Sequence, residues 1–267
     1  MQQSWHAPDR LLVGSVSIGL AGLVLLPIVL VVLGAFVPTD RLGLGLEAGE
    51  PLVANAEALR YLWRNYGEWL LFSGRVALIT IGIALVTAVP AGYVLVQRPF
   101  FGSRLLEELV LLPLSLPGIA VSIALLAAYP SERGLTLVVA GHLLYTLPFM
   151  LRVVTASLRT RDVAELEAAA RTLGASFGQR MLWIVLPQLR QALVVGALLV
   201  FAVSWGEFNV SYLLNSGHPQ TFPAALYNTY ANESLQRSCA ATALFLLGLV
   251  PALLAIQWFE SPDRTVR

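Results

Sequence analysis

The sequence predicts an all-α, polytopic membrane protein with six transmembrane helices and one long polar loop between helices 4 and 5. Three observations carry this prediction. Of 267 residues, 57% are hydrophobic and only 12% are charged, where a soluble domain has about 25% charged residues. The mean hydropathy is +0.73. The apolar residues gather into charge-poor runs close to the ~20 residues a helix needs to cross a bilayer core about 30 Å thick. The composition also excludes functions. Seventeen Lys+Arg against sixteen Asp+Glu leave a net charge of +1, which lacks the basic footprint of a nucleic-acid binder. Every basic residue is Arg, so the chain has no lysine for a Schiff base or a Walker A loop. Cys239 is the only cysteine, which excludes an intrachain disulfide or CxxC site.

A single membrane domain is expected over 1–267. The first span, 11–37, is longer than the ~7–15 residues of a signal h-region and reads as an uncleaved helix. An outer segment, 40–68, follows. It includes an amphipathic helix over 55–64 on which Leu59, Leu62 and Trp63 share a face, and Trp63, Tyr66 and Trp69 read as interfacial anchors. The second span is 70–96. The third, 109–129, carries Pro113, Pro117 and Gly118, residues that break a helix or ease its packing. The fourth is 135–151, the fifth 192–214 and the sixth 240–259. An outer stretch at 221–230 has the pattern of a short helix. Prolines inside spans are tolerated where neighbours satisfy the freed carbonyls. With the N-terminus inside, Arg10, Arg98, Arg104, Arg152, Arg159, Arg161, Arg171, Arg180, Arg190, Arg264 and Arg267 are cytoplasmic. Arg41, Arg60, Arg64, Arg75, Arg133 and Arg237 are outside, a bias that favours both termini in the cytoplasm.

The loop 152–191 reads as helix, break, helix. Asp162 stands at an N-cap with Glu165 three residues on, as in a capping box. Val163, Leu166, Ala170 and Leu173 form an apolar stripe. Glu167 and Arg171 are four apart in the favourable order, a pair that stabilises an exposed helix by about 0.2–0.5 kcal/mol. Ala168, Ala169 and Ala170 keep the helix thin, and Gly174 stands where a left-handed residue ends it. The stripe alone leaves two readings open: a helix lying on lipid headgroups, or a surface that another protein meets.

From Glu167 the chain reads EAAARTLGASFGQRMLWIVLP, in which nine residues separate Gly174 from Ile184, and Leu186 and Pro187 follow. This resembles the EAA loop of permease subunits in binding-protein-dependent ABC importers: Glu-Ala-Ala, three residues, Gly, nine residues, Ile-x-Leu-Pro. Ala169 and Ala170 take the two alanine places. Ala168 stands where the family has Glu, and Glu167 is one position early, which rotates its side chain by about 100°. The stretches at 112–126, 141–152 and 205–211 are similar to the same family, most of all to permeases for polyamines, aminoalkylphosphonates or ferric iron. The resemblance implies an inner-membrane transport subunit, not an enzyme, with a cytoplasmic coupling helix that docks on a separate ATPase. The coupling set is then Asp162, Glu165, Glu167, Ala168, Ala169, Ala170, Gly174, Ile184, Leu186 and Pro187. The implied partners are two ABC ATPases, a second permease forming a homo- or heterodimeric pore, an extracytoplasmic solute-binding protein and membrane lipid, with no nucleic acid. No catalytic residue, metal or cofactor is expected in this chain; ATP and Mg belong to the partner ATPase.

An ionisable group inside a span costs a few kcal/mol, so Glu207 requires a partner or a watery pathway. With Trp205, Asn209 and Tyr212 it makes an aromatic, acidic and amide set suited to an amine-bearing solute. Trp205, Asn209 and Tyr212 fall near one helical face. The alternative for Glu207 is an ion pair with Arg75. His142 has two readings, a substrate contact or a hydrogen bond within the helix packing. Two rival classes remain: a secondary transporter, which would show an internal repeat, and an intramembrane enzyme built on His142 with Ser73, Ser122 or Ser204.

Overall fold

The computed structural model describes residues 7–36, 56–160, 162–215, 217, 219–233 and 235–260. Among these there are helices and turns and no strands. In chain order they are α1 (Ala7–Phe36), α2 (Ala56–Gln97), α3 (Ser103–Leu111) with a 3-10 turn at Leu112–Ser115, α4 (Gly118–Ala128), α5 (Leu135–Thr160), α6 (Val163–Thr172), α7 (Phe177–Arg180), a π turn at Met181–Val185, α8 (Leu186–Gly206), α9 (Asn209–Leu214), α10 (Phe222–Asn232) and α11 (Leu235–Glu260). Five helices are long and apolar enough to cross a membrane. α3 with its 3-10 turn and α4 pass the same test only as a pair, bent by 104°, and among the described residues they make a sixth candidate span if the pair is one span.

The chain falls into two compact units, 1–65 with 226–246, and 66–225 with 247–267. In the first, the α1 stretch Val13–Ala35 is apolar and exposed on almost every face, as expected of a helix bathed in lipid. Near its end, a Cβ at Gly34 would lie 2.9 Å from the Cys239 sulfur. The second unit is built on α5 and α8. A Cβ at Gly196 would lie 2.6 Å from the Met150 sulfur, so the missing side chain lets the two helices approach, as small residues do in membrane packing. Around this crossing Ala84, Ala88 and Tyr93 of α2, Leu151, Val154 and Leu158 of α5, and Leu189 and Val200 of α8 form one core. A second cluster joins Phe72 and Val76 to Leu137, Val138, Val210 and Leu214.

Several boundaries differ from the sequence reading. The amphipathic stretch at 55–64 and the second span are one helix, α2, in which no proline interrupts 56–70; Asn55 lies outside the described residues. Tyr66 is not an interfacial anchor: it is 1% exposed and meets Trp69 and Phe222 edge-on, with ring centroids 5.3 and 6.2 Å apart. The third span breaks at Leu116–Pro117. Proline pushes the preceding residue out of the α region, and Leu116 is extended at φ −95, ψ 140. Its freed carbonyl accepts the Tyr145 hydroxyl at 3.1 Å. The fourth helix runs on to Thr160, where Arg159 grips Glu107 of α3 through two bonds of 3.2 and 2.7 Å. The fifth crossing begins at Phe177 and its helix ends at Gly206, short of 214.

Candidate functional site

The 152–191 loop is shorter as a loop than expected, since its first nine residues belong to α5. Its centre is α6. Asp162 occupies the position before the helix at φ −75, ψ 38 and makes no side-chain cap, because that ψ is far from the extended geometry a capping residue adopts. Its expected partner Glu165 is exposed. The capping box forms one helix later. Ser176 accepts the Gln179 N–H at 3.3 Å, and its own N–H donates to the Gln179 side chain at 2.8 Å. Gly174 ends α6 at φ 84. Its N–H donates to the Arg171 carbonyl at 3.1 Å and that of Ala175 to the Ala170 carbonyl at 3.0 Å, the paired bonds of a Schellman turn.

Glu167 does not pair with Arg171. Turned inward, its carboxylate accepts the Tyr93 hydroxyl at 2.8 and 2.9 Å and the Arg180 Nε at 3.0 Å. Both side chains of this ion pair are largely buried, 9% exposed for Arg180 and 11% for Glu167. Arg180 also donates to the Ala175 carbonyl at 2.7 Å, and its guanidinium lies 5.9 Å from the centroid of the Phe177 ring. One carboxylate thus ties α6 to α2 and to the start of the fifth crossing. Sequence reasoning missed Tyr93 and Arg180. The Ser-x-x-Gln box at 176–179 was a readable sign that a second helix turn begins there, whereas nothing local marks Tyr93.

Outward, Ala168 and Ala169 are exposed, and only Val163 of the apolar stripe is fully buried. Leu173 is 87% and Trp183 78% exposed. They flank a groove of about 460 Å³ lined also by Ala170, Gly174 and Ile184. Leu186 packs against the core, and Pro187 lies just past the π turn at Met181–Val185 inside the fifth crossing. A thin helix beside exposed apolar side chains is a surface another protein can cover.

The polar residues of the fifth crossing do not share a face, because the helix breaks between them. Trp205, at the end of α8, is 6% exposed and stacks on Phe201 with centroids 5.3 Å apart; a Cβ at Gly248 would lie 2.5 Å from its ring. Glu207 is extended at φ −73, ψ 113, and its carboxylate accepts the Val210 N–H at 2.8 Å. It caps α9 and forms no ion pair with Arg75. Asn209 begins α9 beside Gly118, the first residue of α4; a Cβ there would lie 2.8 Å from the Asn209 Cβ. The two broken crossings therefore meet at their breaks. Tyr212 is 41% exposed and stacks on Phe208 at 5.3 Å. His142 is 1% exposed, with Nδ1 2.8 Å from the Ser204 hydroxyl and Nε2 2.8 Å from that of Ser211. It links α5 to both sides of the break. The Ser204–His142 contact is part of what an intramembrane enzyme would need, yet both ring nitrogens are engaged, so the ring acts as a strut.

The family model described as the binding-protein-dependent transport system inner membrane component matches residues 80–262. The chain belongs to this family. It is therefore an ABC importer permease subunit and a transport component, not an enzyme. Its relatives include the molybdenum transport system permease protein ModB of Escherichia coli, 30% identical over 219 residues, 74% of this chain and 95% of the relative. A probable molybdenum ABC transporter permease of Haloferax volcanii is 32% identical over 187 residues, 65% of this chain and 68% of its own. The molybdate/tungstate transport system permease protein WtpB of Thermococcus kodakarensis is 29% identical over 187 residues, 68% and 74% of the two chains. These permeases are named for molybdenum, molybdate or tungstate, not for the polyamines, phosphonates or ferric iron that the sequence resemblance favoured. ABC permeases of this family work with an ATPase and a binding protein in the inner membrane.

Proposed function

We propose that this chain forms half of the pore of an importer for a tetrahedral oxyanion of the molybdate or tungstate kind. A binding protein outside the membrane delivers the oxyanion, and ATP with Mg, held by partner ATPases, drives its uptake. A second permease completes the pore, both termini lie in the cytoplasm, and α6 is the element an ATPase engages. The observation that carries the substrate class is the naming of relatives that align over as much as 95% of their own length. If the breaks at Leu116–Pro117 and Glu207–Phe208 lie within the bilayer, their irregular backbone is of the kind tolerated where it lines a cavity or is buried in protein.

In this cycle closure of the ATPases moves α6, and the Glu167–Tyr93 and Glu167–Arg180 contacts carry that motion into α2 and, through α7, into the fifth crossing. Uptake of labelled molybdate, tungstate, putrescine and an aminoalkylphosphonate is to be measured in vesicles holding the assembled complex and its binding protein. The expected result is ATP-dependent uptake of molybdate or tungstate that resists uncouplers. Uptake of putrescine or the phosphonate without either metal oxyanion would overturn the substrate class, and uptake that follows the proton gradient would overturn the ATP-driven cycle.

A further inference from the structure

Beside the Glu167 contacts is a cavity of about 360 Å³ lined by Tyr93, Gln97, Arg98, Glu167, Arg171 and Arg180, among others. Three guanidinium groups face it with one carboxylate, and that carboxylate is bound to Arg180. Neither Arg98 nor Arg171 joins a carboxylate in an ion pair among the described residues. The cavity therefore carries uncompensated positive charge. A second hollow, about 470 Å³ and almost wholly apolar, shares Tyr93 and Arg98 with it and is walled by Val89, Pro90, Val94 and Phe177. Both lie at the end of a membrane-crossing helix, since the crossing of α2 ends at Gln97.

We propose that these two adjoining hollows hold one anionic phospholipid of the cytoplasmic leaflet, its phosphate between Arg98 and Arg171 and an acyl chain along Val89, Pro90 and Val94. The pairing of chemistries selects this occupant. A planar, multi-donor guanidinium pair suits a phosphate, and basic pockets at the cytoplasmic ends of membrane helices attract anionic headgroups. A free oxyanion would use the arginines but has no use for the apolar wall beside them. Because Arg171 is on α6 and Arg98 follows α2, a lipid there braces the coupling helix against the second crossing.

The test is native mass spectrometry of the purified complex after incubation with a mixture of phosphatidylglycerol and phosphatidylcholine. The wild type is expected to retain one phosphatidylglycerol per copy of this chain. Arg98→Gln with Arg171→Gln is expected to weaken its binding about thirtyfold, from roughly one kcal/mol per arginine. Val94→Trp, which fills the apolar hollow and keeps both charges, is expected to weaken it too, and it decides the matter if the double variant does not assemble. Arg237→Gln, in the other unit, is expected to change nothing. Equal retention of phosphatidylcholine, or full retention in the double variant, would overturn the proposal. So would displacement of the lipid by millimolar inorganic phosphate or molybdate with Val94→Trp having no effect, which would assign the arginines to a free oxyanion.

Discussion

Replacing Glu167 by alanine is expected to destabilise the docking of α6 by about 3 kcal/mol and to separate ATP hydrolysis from uptake. The carboxylate accepts bonds from Tyr93 and Arg180, and both members of its ion pair are about nine-tenths buried. Removing one partner of a buried pair leaves the other charge uncompensated, at about 3–5 kcal/mol. The lower end applies here because the pair borders a cavity. Tyr93→Phe removes one neutral donor from the same carboxylate and is expected to cost less, about 1–2 kcal/mol. Thermal unfolding of the purified complex reads the first effect. The ratio of solute imported to ATP hydrolysed reads the second, and it falls because α6 no longer carries its motion to α2 and, through α7, to the fifth crossing. A Glu167→Ala complex with unchanged melting and unchanged ratio would show that this contact transmits nothing.

His142→Leu is expected to destabilise the α8–α9 break by about 2–6 kcal/mol. The ring is fully buried and bridges two serine hydroxyls, each at 2.8 Å. Leucine leaves both without their partner, and a buried donor or acceptor left unmade costs about 1–3 kcal/mol. Removing all three polar groups together is expected to be far milder, because replacing both partners of a hydrogen bond by apolar groups is nearly neutral. The measurement is a double-mutant cycle on thermal stability. The His142→Leu cost should shrink by more than half in a Ser204→Ala, Ser211→Ala background. Equal costs in both backgrounds would mean that the ring stabilises the fold by volume alone.

The helical, membrane-crossing architecture was legible because the signal is compositional: an apolar run long enough to cross lipid has few alternative uses. Gly174 was legible for a local reason, since a left-handed helix end is dictated by one residue. The third span was readable as a break from Pro113, Pro117 and Gly118, but its 104° bend and the Tyr145 hydroxyl that takes the Leu116 carbonyl were not. The break at Glu207 was not readable. A glutamate and two aromatics look like residues on a continuous helix until the carboxylate is seen to cap the next one. Glu167 shows the same limit. Its spacing to Arg171 satisfied a local rule, yet a partner 13 residues on and another 74 residues back held it, because a buried charge gains more from desolvated partners than from a solvated neighbour. Local rules reach one or two helical turns, while the site is assembled from helices that are distant in sequence.

The account turns on α6 as the place where an ATPase is held. The most direct test is to purify the tagged chain in mild detergent as wild type, Ala169→Asp and Gly174→Val, and to measure how much ATPase subunit stays bound. Ala169 is exposed on α6, so its replacement leaves the fold intact. Gly174 needs a positive φ that a β-branched residue resists. The wild type should retain the ATPase and both variants should lose most of it while still reaching the membrane. A wild-type chain that purifies stably without any ATPase, or variants that hold it as well as the wild type, would contradict the coupling role of α6.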